Sequence, residues 1–289
     1  MASDRSEDSH ARASSHLPGK VAAASPLAPD IVDEGRLTTA RTIVDRAAVL
    51  ALDYFERRDG LDVATKRSPQ DLVTEADKAV EMQLFSDLAA AFPEDGRVGE
   101  ETGGDVARSY WLVDPIDGTS NFVSGLPFWG ISLAYVVESE PTIGILAFPA
   151  MGRTYWAKTG GGAFCNGKRL FVSKTADMGR SRIIFGRSPN LPPDGAHGFA
   201  KRVMEADGAI YSFGACAFNL AMVAEGSCDG YFEERVFPWD SSAGVVLVRE
   251  AGGSVRFSPP DDVLAEGGPI MASGPSLFPA LGALAYPTD

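Results

Sequence analysis

The sequence predicts an α+β chain in two halves, and three patterns carry the prediction. Apolar residues recur at helical spacing between Leu37 and Phe55 and again between about Glu75 and Ala91. Short apolar runs punctuated by Gly and Pro fill Val98 to Phe148, so β structure dominates that stretch. Beyond about Lys174 strand-like and helix-like segments alternate, which reads as an α/β half.

Residues 1–34 are rich in Ser, Ala, Asp and Pro without apolar periodicity, and such a composition buries too little surface to offset the entropy of ordering. A disordered tail is expected there, followed by one domain over 35–289 with subdomains of about 35–174 and 175–289. The first helix, Leu37 to Phe55, opens the domain. The second begins beside Thr74 and Asp77, spaced as a capping pair, and stops before Pro93. Strands are expected around Trp111–Val113, Trp129–Val137 and Thr142–Phe148. Asn166-Gly167 is a hairpin signal joining Ala163–Cys165 to Leu170–Val172, because both turn residues take positive φ at little cost. In the second half the order is strand Ile183–Gly186, helix Gly198–Ala206, strand Ile210–Phe213, helix Phe218–Glu225 and strand Gly230–Glu233. A helix Ser241–Ala251 then ends at Gly252-Gly253, followed by strands Ser254–Phe257 and Ile270–Ala272 and a last short helix.

The 289 residues are 45% hydrophobic and 22% charged, enough for one sizeable core or two smaller ones. Acidic residues number 39 against 26 basic ones, and the formal charge of -13 opposes nonspecific binding to a phosphate backbone. No nucleic-acid partner is expected. Uninterrupted apolar runs fall short of the ~18 residues a membrane span needs, and the first residues lack the apolar centre of a secretory signal. A cytoplasmic protein with no membrane association is therefore expected. Cys165, Cys216 and Cys228 form no C-x-x-C pair and are expected as free thiols. Of the histidines, His10 and His16 lie in the polar leader and His197 alone in the body. Chemistry then falls to carboxylates, hydroxyls and a hard metal ion.

Four acidic segments stand out. Asp114-Pro-Ile-Asp117-Gly118-Thr119 follows an apolar strand, and a loop of this kind can aim both aspartates and the Ile116 carbonyl at one Mg²⁺ while the amides of Gly118 and Thr119 face an anion. Alone, it reads equally well as a turn whose aspartates bond local backbone. Gly99-Glu100-Glu101 is a solvated acidic turn or a cation site. Asp240 in Phe237-Pro-Trp-Asp240 caps a helix or joins a metal site, and Asp71-Leu-Val-Thr74-Glu-Ala-Asp77 starts a helix.

Together, DLVTEAD, GEE, DPIDGTSNF and PWDSSAG followed by EAGG occur in the order and form of a known family, and from about Leu37 to Leu281 the chain resembles the inositol monophosphatase family. The resemblance implies the layered αβαβα sugar-phosphatase fold, with the site between an N-terminal α+β half and a C-terminal α/β half. It implies Mg²⁺-dependent hydrolysis of a phosphate monoester by a metal-activated water, with two or three ions per site. Glu100, Asp114 and the Ile116 carbonyl would hold the first ion, and Asp114, Asp117 and Asp240 the second. A weaker third would lie near Glu100. Asp77 and Thr119 match a hydrogen-bonded pair that orients the water.

The resemblance also has the Gly118 and Thr119 amides receiving phosphate oxygens, with Lys66 biasing the mouth toward anions. For the alcohol half it implies Glu233 and Asp117 as hydroxyl acceptors, with Gly214 and Ala215 lining the pocket. Cys216, Phe128, Trp129 and Trp239 read as core or wall. Thr119-Ser120-Asn121-Phe122 resembles the branch acting on inositol 1-phosphate, and Glu233 also favours a small phosphorylated polyol or sugar. Histidinol phosphate, fructose 1,6-bisphosphate and a non-catalytic regulatory binding role remain the alternatives. Lithium sensitivity and a homodimer follow from the same resemblance. Ser241-Ser242 depart from the more usual apolar or alanine pair at that place.

Overall fold

The structure, a computed structural model, describes residues 34–61, 63–66, 72–188 and 191–287. The expected tail lies outside the described residues except for Glu34, which opens the first helix, and Asp71 of the DLVTEAD segment lies outside them as well. In chain order the first half runs α1 (Glu34–Glu56), β1 (Val63–Thr65), β2 (Leu72–Thr74), α2 (Glu75–Ala91), β3 (Gly96–Gly99), β4 (Gly103–Gly104), β5 (Ser109–Asp117) and α3 (Thr119–Ser124). It continues through β6 (Gly130–Val137), β7 (Glu140–Phe148), β8 (Arg153–Lys158), β9 (Gly162–Cys165) and β10 (Lys168–Arg169). The second half comprises β11 (Arg182–Phe185), α4 (Pro193–Glu205), β12 (Ala209–Tyr211), α5 (Cys216–Ala224), β13 (Gly230–Val236) and α6 (Pro238–Glu250). It closes with β14 (Ser254–Arg256), α7 (Pro260–Val263), β15 (Gly268–Ser273) and α8 (Phe278–Ala285).

Strand alternation builds the layers. In the eight-stranded sheet, ordered β10-β9-β8-β7-β6-β5-β3-β4, successive side chains point to opposite faces. Trp111, Val113, Ile131, Leu133, Ile143 and Ile145 meet the buried stripes of α1 and α2. Tyr110, Leu112, Ala134, Val136, Leu146 and Phe148 instead meet α5 and α6. The five-stranded sheet, β12-β11-β13-β15-β14, closes the other side of α5 and α6 through Ile184, Tyr231, Ile270 and Ala272. Its outer face, with Ile183, Phe232 and Met271, is covered by Phe199 and Val203 of α4 and Leu281 of α8. The order is helix, sheet, helix, sheet, helix, and α5 and α6 are buried between two sheets. This explains why nearly every side chain of α5 and α6 is apolar or small, with Ser241 and Ser242 buried among them.

Several elements differ from the sequence expectation. The hairpin turn at Asn166-Gly167 forms with φ of 47° and 81°, but its second arm ends at Arg169. Leu170 still bonds Ala163, whereas Val172 donates to the Ala251 carbonyl at 3.1 Å, so the chain leaves the sheet to pack on the end of α6. Helix α4 starts at Pro193 and α6 at Pro238, each using a proline in its first turn, where no N–H is needed. Strands β1, β2, β3, β4 and β8 and the short helix α7 have no counterpart in the sequence expectation. The cysteines at 165, 216 and 228 are buried and free, and among the described residues no helix is long and apolar enough to cross a membrane.

Close approach of α6 to the large sheet depends on Gly144 in β7: a Cβ there would lie 2.2 Å from the Ala243 carbonyl oxygen, with backbone on both sides. Gly144→Ala is therefore expected to cost about 1–3 kcal/mol by overpacking. Urea unfolding of the two proteins measures it, and an unchanged midpoint would contradict this packing.

Candidate active site

Strands β3 and β5 run parallel, and β3 ends at Gly99 opposite Val113 while β5 continues to Asp117. The Glu100 N–H extends the ladder to the Val113 carbonyl at 3.1 Å, so Glu100 leaves β3 alongside Asp114 of β5. Asp114 shares the face of Leu112, toward α5 and α6. Strict alternation would send Asp117, three residues on, to the other face. The pairing with β6 shifts between Asp114 and Asp117, opposite Ser132 and Gly130, and the one extra residue restores Asp117 to the same side. Asp240 arrives from the first turn of α6, where it accepts the Phe237 N–H at 3.2 Å. Of the two readings open in the sequence, the capping one is realised, and the same residue also faces Glu100 and Asp114.

One carboxylate oxygen from each of Glu100, Asp114 and Asp240 lies within 4.8 Å of the others. Asp117 adjoins this cluster but is held differently: its two oxygens accept the Cys216 and Ala217 N–H groups at 3.1 and 2.7 Å, at the start of α5. Asp114 Oδ1 accepts the Ile116 N–H at 2.9 Å, which curls the loop. Gly118 takes a left-handed φ of 88°, and a Cβ there would sit 2.9 Å from the Ala215 Cβ and 3.0 Å from the Phe128 carbonyl. Only glycine fits. Gly214, also left-handed at φ 75°, and Ala215 border the loop.

The Asp77 and Thr119 pair is present. Asp77 is fully buried, and its Oδ2 accepts both the N–H and the hydroxyl of Thr74 at 2.8 and 2.6 Å. Its Oδ1 lies 3.2 Å from the Thr119 hydroxyl, which also lies 3.1 Å from the Ile116 carbonyl. One hydroxyl proton serves one acceptor at a time, so an ion drawing on the Ile116 carbonyl would leave that proton to Asp77. Lys66 is engaged with Glu100 and Glu101 at 2.8 and 2.5 Å. Burial pulls its ammonium down, but the two glutamates hold it above the usual lysine range. Glu233 accepts the Tyr231 hydroxyl at 2.6 Å and lies against Gly186, whose missing side chain makes room. Trp129 is fully buried under α1 and α2, Phe128 and Trp239 are half-buried, and Cys216 is buried at the start of α5.

Two contributors escaped the sequence reading. Asn121 donates to the carbonyls of Phe128 and Phe213, each at 2.7 Å, and ties the DPIDGTSNF loop to the segment before α5. Tyr231 shares a strand face with Glu233 by period two, a signal that was available.

Like charges at this density oppose one another. Burial, then Glu100 and the neighbouring aspartates, pushes the Asp114 and Asp240 carboxyls well above the carboxylate range. Burial raises Asp117 to about 7 against the pull of the α5 amides, and raises Asp77 to about 6 and Glu233 to about 7. A hard divalent cation is what such an all-oxygen set of three convergent carboxylates accommodates. The residues present fit a metal of the Mg²⁺ type.

These carboxyls bind protons more tightly folded than unfolded, where their values lie near 4. Metal-free stability from them is therefore lost as pH rises from about 4 through about 7. A divalent cation competes with protons for the same oxygens, so it is expected to raise Tm more at about pH 7.5 than at about pH 5.5. Thermal melts of stripped and metal-loaded protein measure both shifts; equal shifts would contradict the assignment.

Residues 33–285 match the inositol monophosphatase family. A histidinol-phosphatase of Chlorobaculum parvum is 36% identical over 75% of this chain and 83% of that protein. A fructose-1,6-bisphosphatase/inositol-1-monophosphatase of Thermotoga maritima is 34% identical over 76% of this chain and 84% of its own length. Among solved structures, the extragenic suppressor protein suhB from Bartonella henselae superposes with a TM-score of 0.81 at 28% identity, covering 89% of this chain and 100% of that one. The matched span runs through both sheets, and on it the chain belongs to the inositol monophosphatase family and is a phosphoric monoester hydrolase.

Proposed function

We propose that the protein is a Mg²⁺-dependent phosphatase of a small phosphorylated polyol or sugar, with inositol 1-phosphate as the first substrate to test. The observation that carries this reading is the convergence of Glu100, Asp114 and Asp240 from three separate segments beside the Asp77 and Thr119 pair. Glu100, Asp114 and the Ile116 carbonyl would hold one ion, and Asp114, Asp117 and Asp240 a second, with a third near Glu100. When bound, the ions supply an acidified water and neutralise charge on the departing alcohol oxygen.

The chain's own groups do the rest. Thr119 passes its hydroxyl proton toward Asp77, which leaves Thr119 Oγ1 free to accept from a water and orient it. Asp77 is suited to hold that proton, being buried with a carboxyl raised to about 6. The Gly118 and Thr119 amides, at the start of a helix whose first N–H groups have no intrahelical acceptor, face the phosphate oxygens. Glu233 and Asp117 accept hydroxyls of the alcohol half, with Gly214 and Ala215 shaping that wall. A histidinol phosphatase reading shares the same machinery and is favoured by the identity to the Chlorobaculum parvum protein. On the family resemblance alone, the reading also takes the chain as a cytoplasmic homodimer that millimolar lithium inhibits.

Phosphate release from inositol 1-phosphate, fructose 1,6-bisphosphate, histidinol phosphate and adenosine 3′,5′-bisphosphate, with and without Mg²⁺, tests the proposal. Magnesium-dependent preference for the inositol ester is expected. Preference for another names that substrate instead, and no release by folded protein contradicts the reading. Asp114→Asn is expected to abolish hydrolysis with the far-ultraviolet spectrum unchanged. Thr119→Ala should keep its Mg²⁺ requirement while kcat falls about 100-fold, the scale of a lost proton-transfer contact. An unchanged kcat would remove Thr119 from the mechanism.

A further inference from the structure

Helix α2 carries a second acid, Glu81, one turn after Asp77, so both project from the same side of the helix. Both are fully buried. Asp77 reaches the DPIDGT loop through Thr119. Glu81 reaches the turn that bears Glu100: its Oε1 accepts the Thr102 hydroxyl at 3.1 Å and the Thr102 N–H at 3.4 Å. Gly99, immediately before Glu100, lies against the same carboxylate, and a Cβ there would fall 1.5 Å from Oε1. The other oxygen, Oε2, is sealed from solvent without a hydrogen-bond partner.

A buried carboxyl satisfied on one oxygen alone is a costly way to close a turn, and a fully apolar residue would pack there without that cost. The arrangement makes sense if the turn itself must be held. Glu100 is fixed upstream by its N–H to Val113 and laterally by the Lys66 ammonium. Neither contact sets where the chain goes after Glu101. Thr102 does, and Glu81 is its anchor.

We propose that Glu81 is a positioning residue for the cation site: by gripping Thr102 and packing on Gly99 it fixes the turn through which Glu100 is presented to Asp114 and Asp240. The proposal rests on the reading of Glu100 as a metal ligand. Its mode of action is geometric, through an acceptor oxygen, and Glu81 itself contributes no ligand atom.

Isothermal titration of the full chain with Mg²⁺ alone, followed by melts of the same samples, tests it. Glu81→Ala is expected to weaken Mg²⁺ binding about 10- to 100-fold, the scale for partners that orient metal ligands. Glu81→Gln keeps the acceptor oxygen and should bind within about threefold of the unaltered chain. Leu88→Ala opens the buried face of the same helix about two turns beyond Glu81. It should lower Tm and leave the Mg²⁺ constant unchanged, which separates a positioning effect from general loosening of α2. Unchanged Mg²⁺ binding in Glu81→Ala would overturn the proposal. So would a Glu81→Gln variant as weak as Glu81→Ala, since that result makes charge rather than geometry responsible. If the unaltered chain binds no Mg²⁺, the reading of the site fails first and is distinguished by that.

Discussion

Burying several carboxylates side by side is unfavourable unless a cation or protons neutralise them, and the structure is organised around that conflict. Asp114 and Asp117 are 1% and 7% exposed, the Glu100 and Asp240 oxygens face Asp114, and burial, then the charge of these neighbours, drives the Asp114 and Asp240 carboxyls upward. Protons relieve the repulsion at low pH; near neutrality a divalent ion relieves it better, because it meets several oxygens at once. A fold that merely needed a satisfied core would not assemble these residues.

Rigid elements supply the geometry. The end of β3, paired parallel with β5, sets Glu100 beside Asp114, a one-residue shift against β6 turns Asp117 inward, and the first turn of α6 delivers Asp240. The amides at the start of α5 hold Asp117 in place, where the helix dipole favours negative charge. Because α5 and α6 are clamped between two sheets, their termini are fixed by the cores on either side. Helix α2 contributes from the outer layer, through Asp77 on the Thr119 side and Glu81 on the side of the turn after Glu100. Function is thus placed where the layers meet, and the layers constrain it from both directions.

Much of this was legible in the sequence because local chemistry leaves local marks. The Thr74 and Asp77 cap formed as spaced, α2 kept the bounds its periodicity implied, and the strands around Trp111, Trp129 and Thr142 all exist. What could not be read is relational. Strand β3, Gly96-Arg-Val-Gly99, has two glycines and no alternation, yet its parallel pairing positions Glu100. Periodicity shows that α5 and α6 bury side chains but not that two different sheets cover them; the layered order came from family resemblance. The register shift that brings Asp117 to the side of Asp114 is a property of the pairing, not of either residue. Likewise, Lys66 as a partner of Glu100 and Glu101 spans 34 and 35 residues of chain, beyond any pattern rule.

If these carboxylates form a preorganised divalent-cation site, crystals grown with Mn²⁺ in place of Mg²⁺ give anomalous peaks within coordination distance of the Glu100, Asp114 and Asp240 carboxylate oxygens and the Ile116 carbonyl, with strand and helix ends where they stand now. Absence of a peak at the cluster in a crystal saturated with Mn²⁺, or ions held by residues elsewhere, would contradict it.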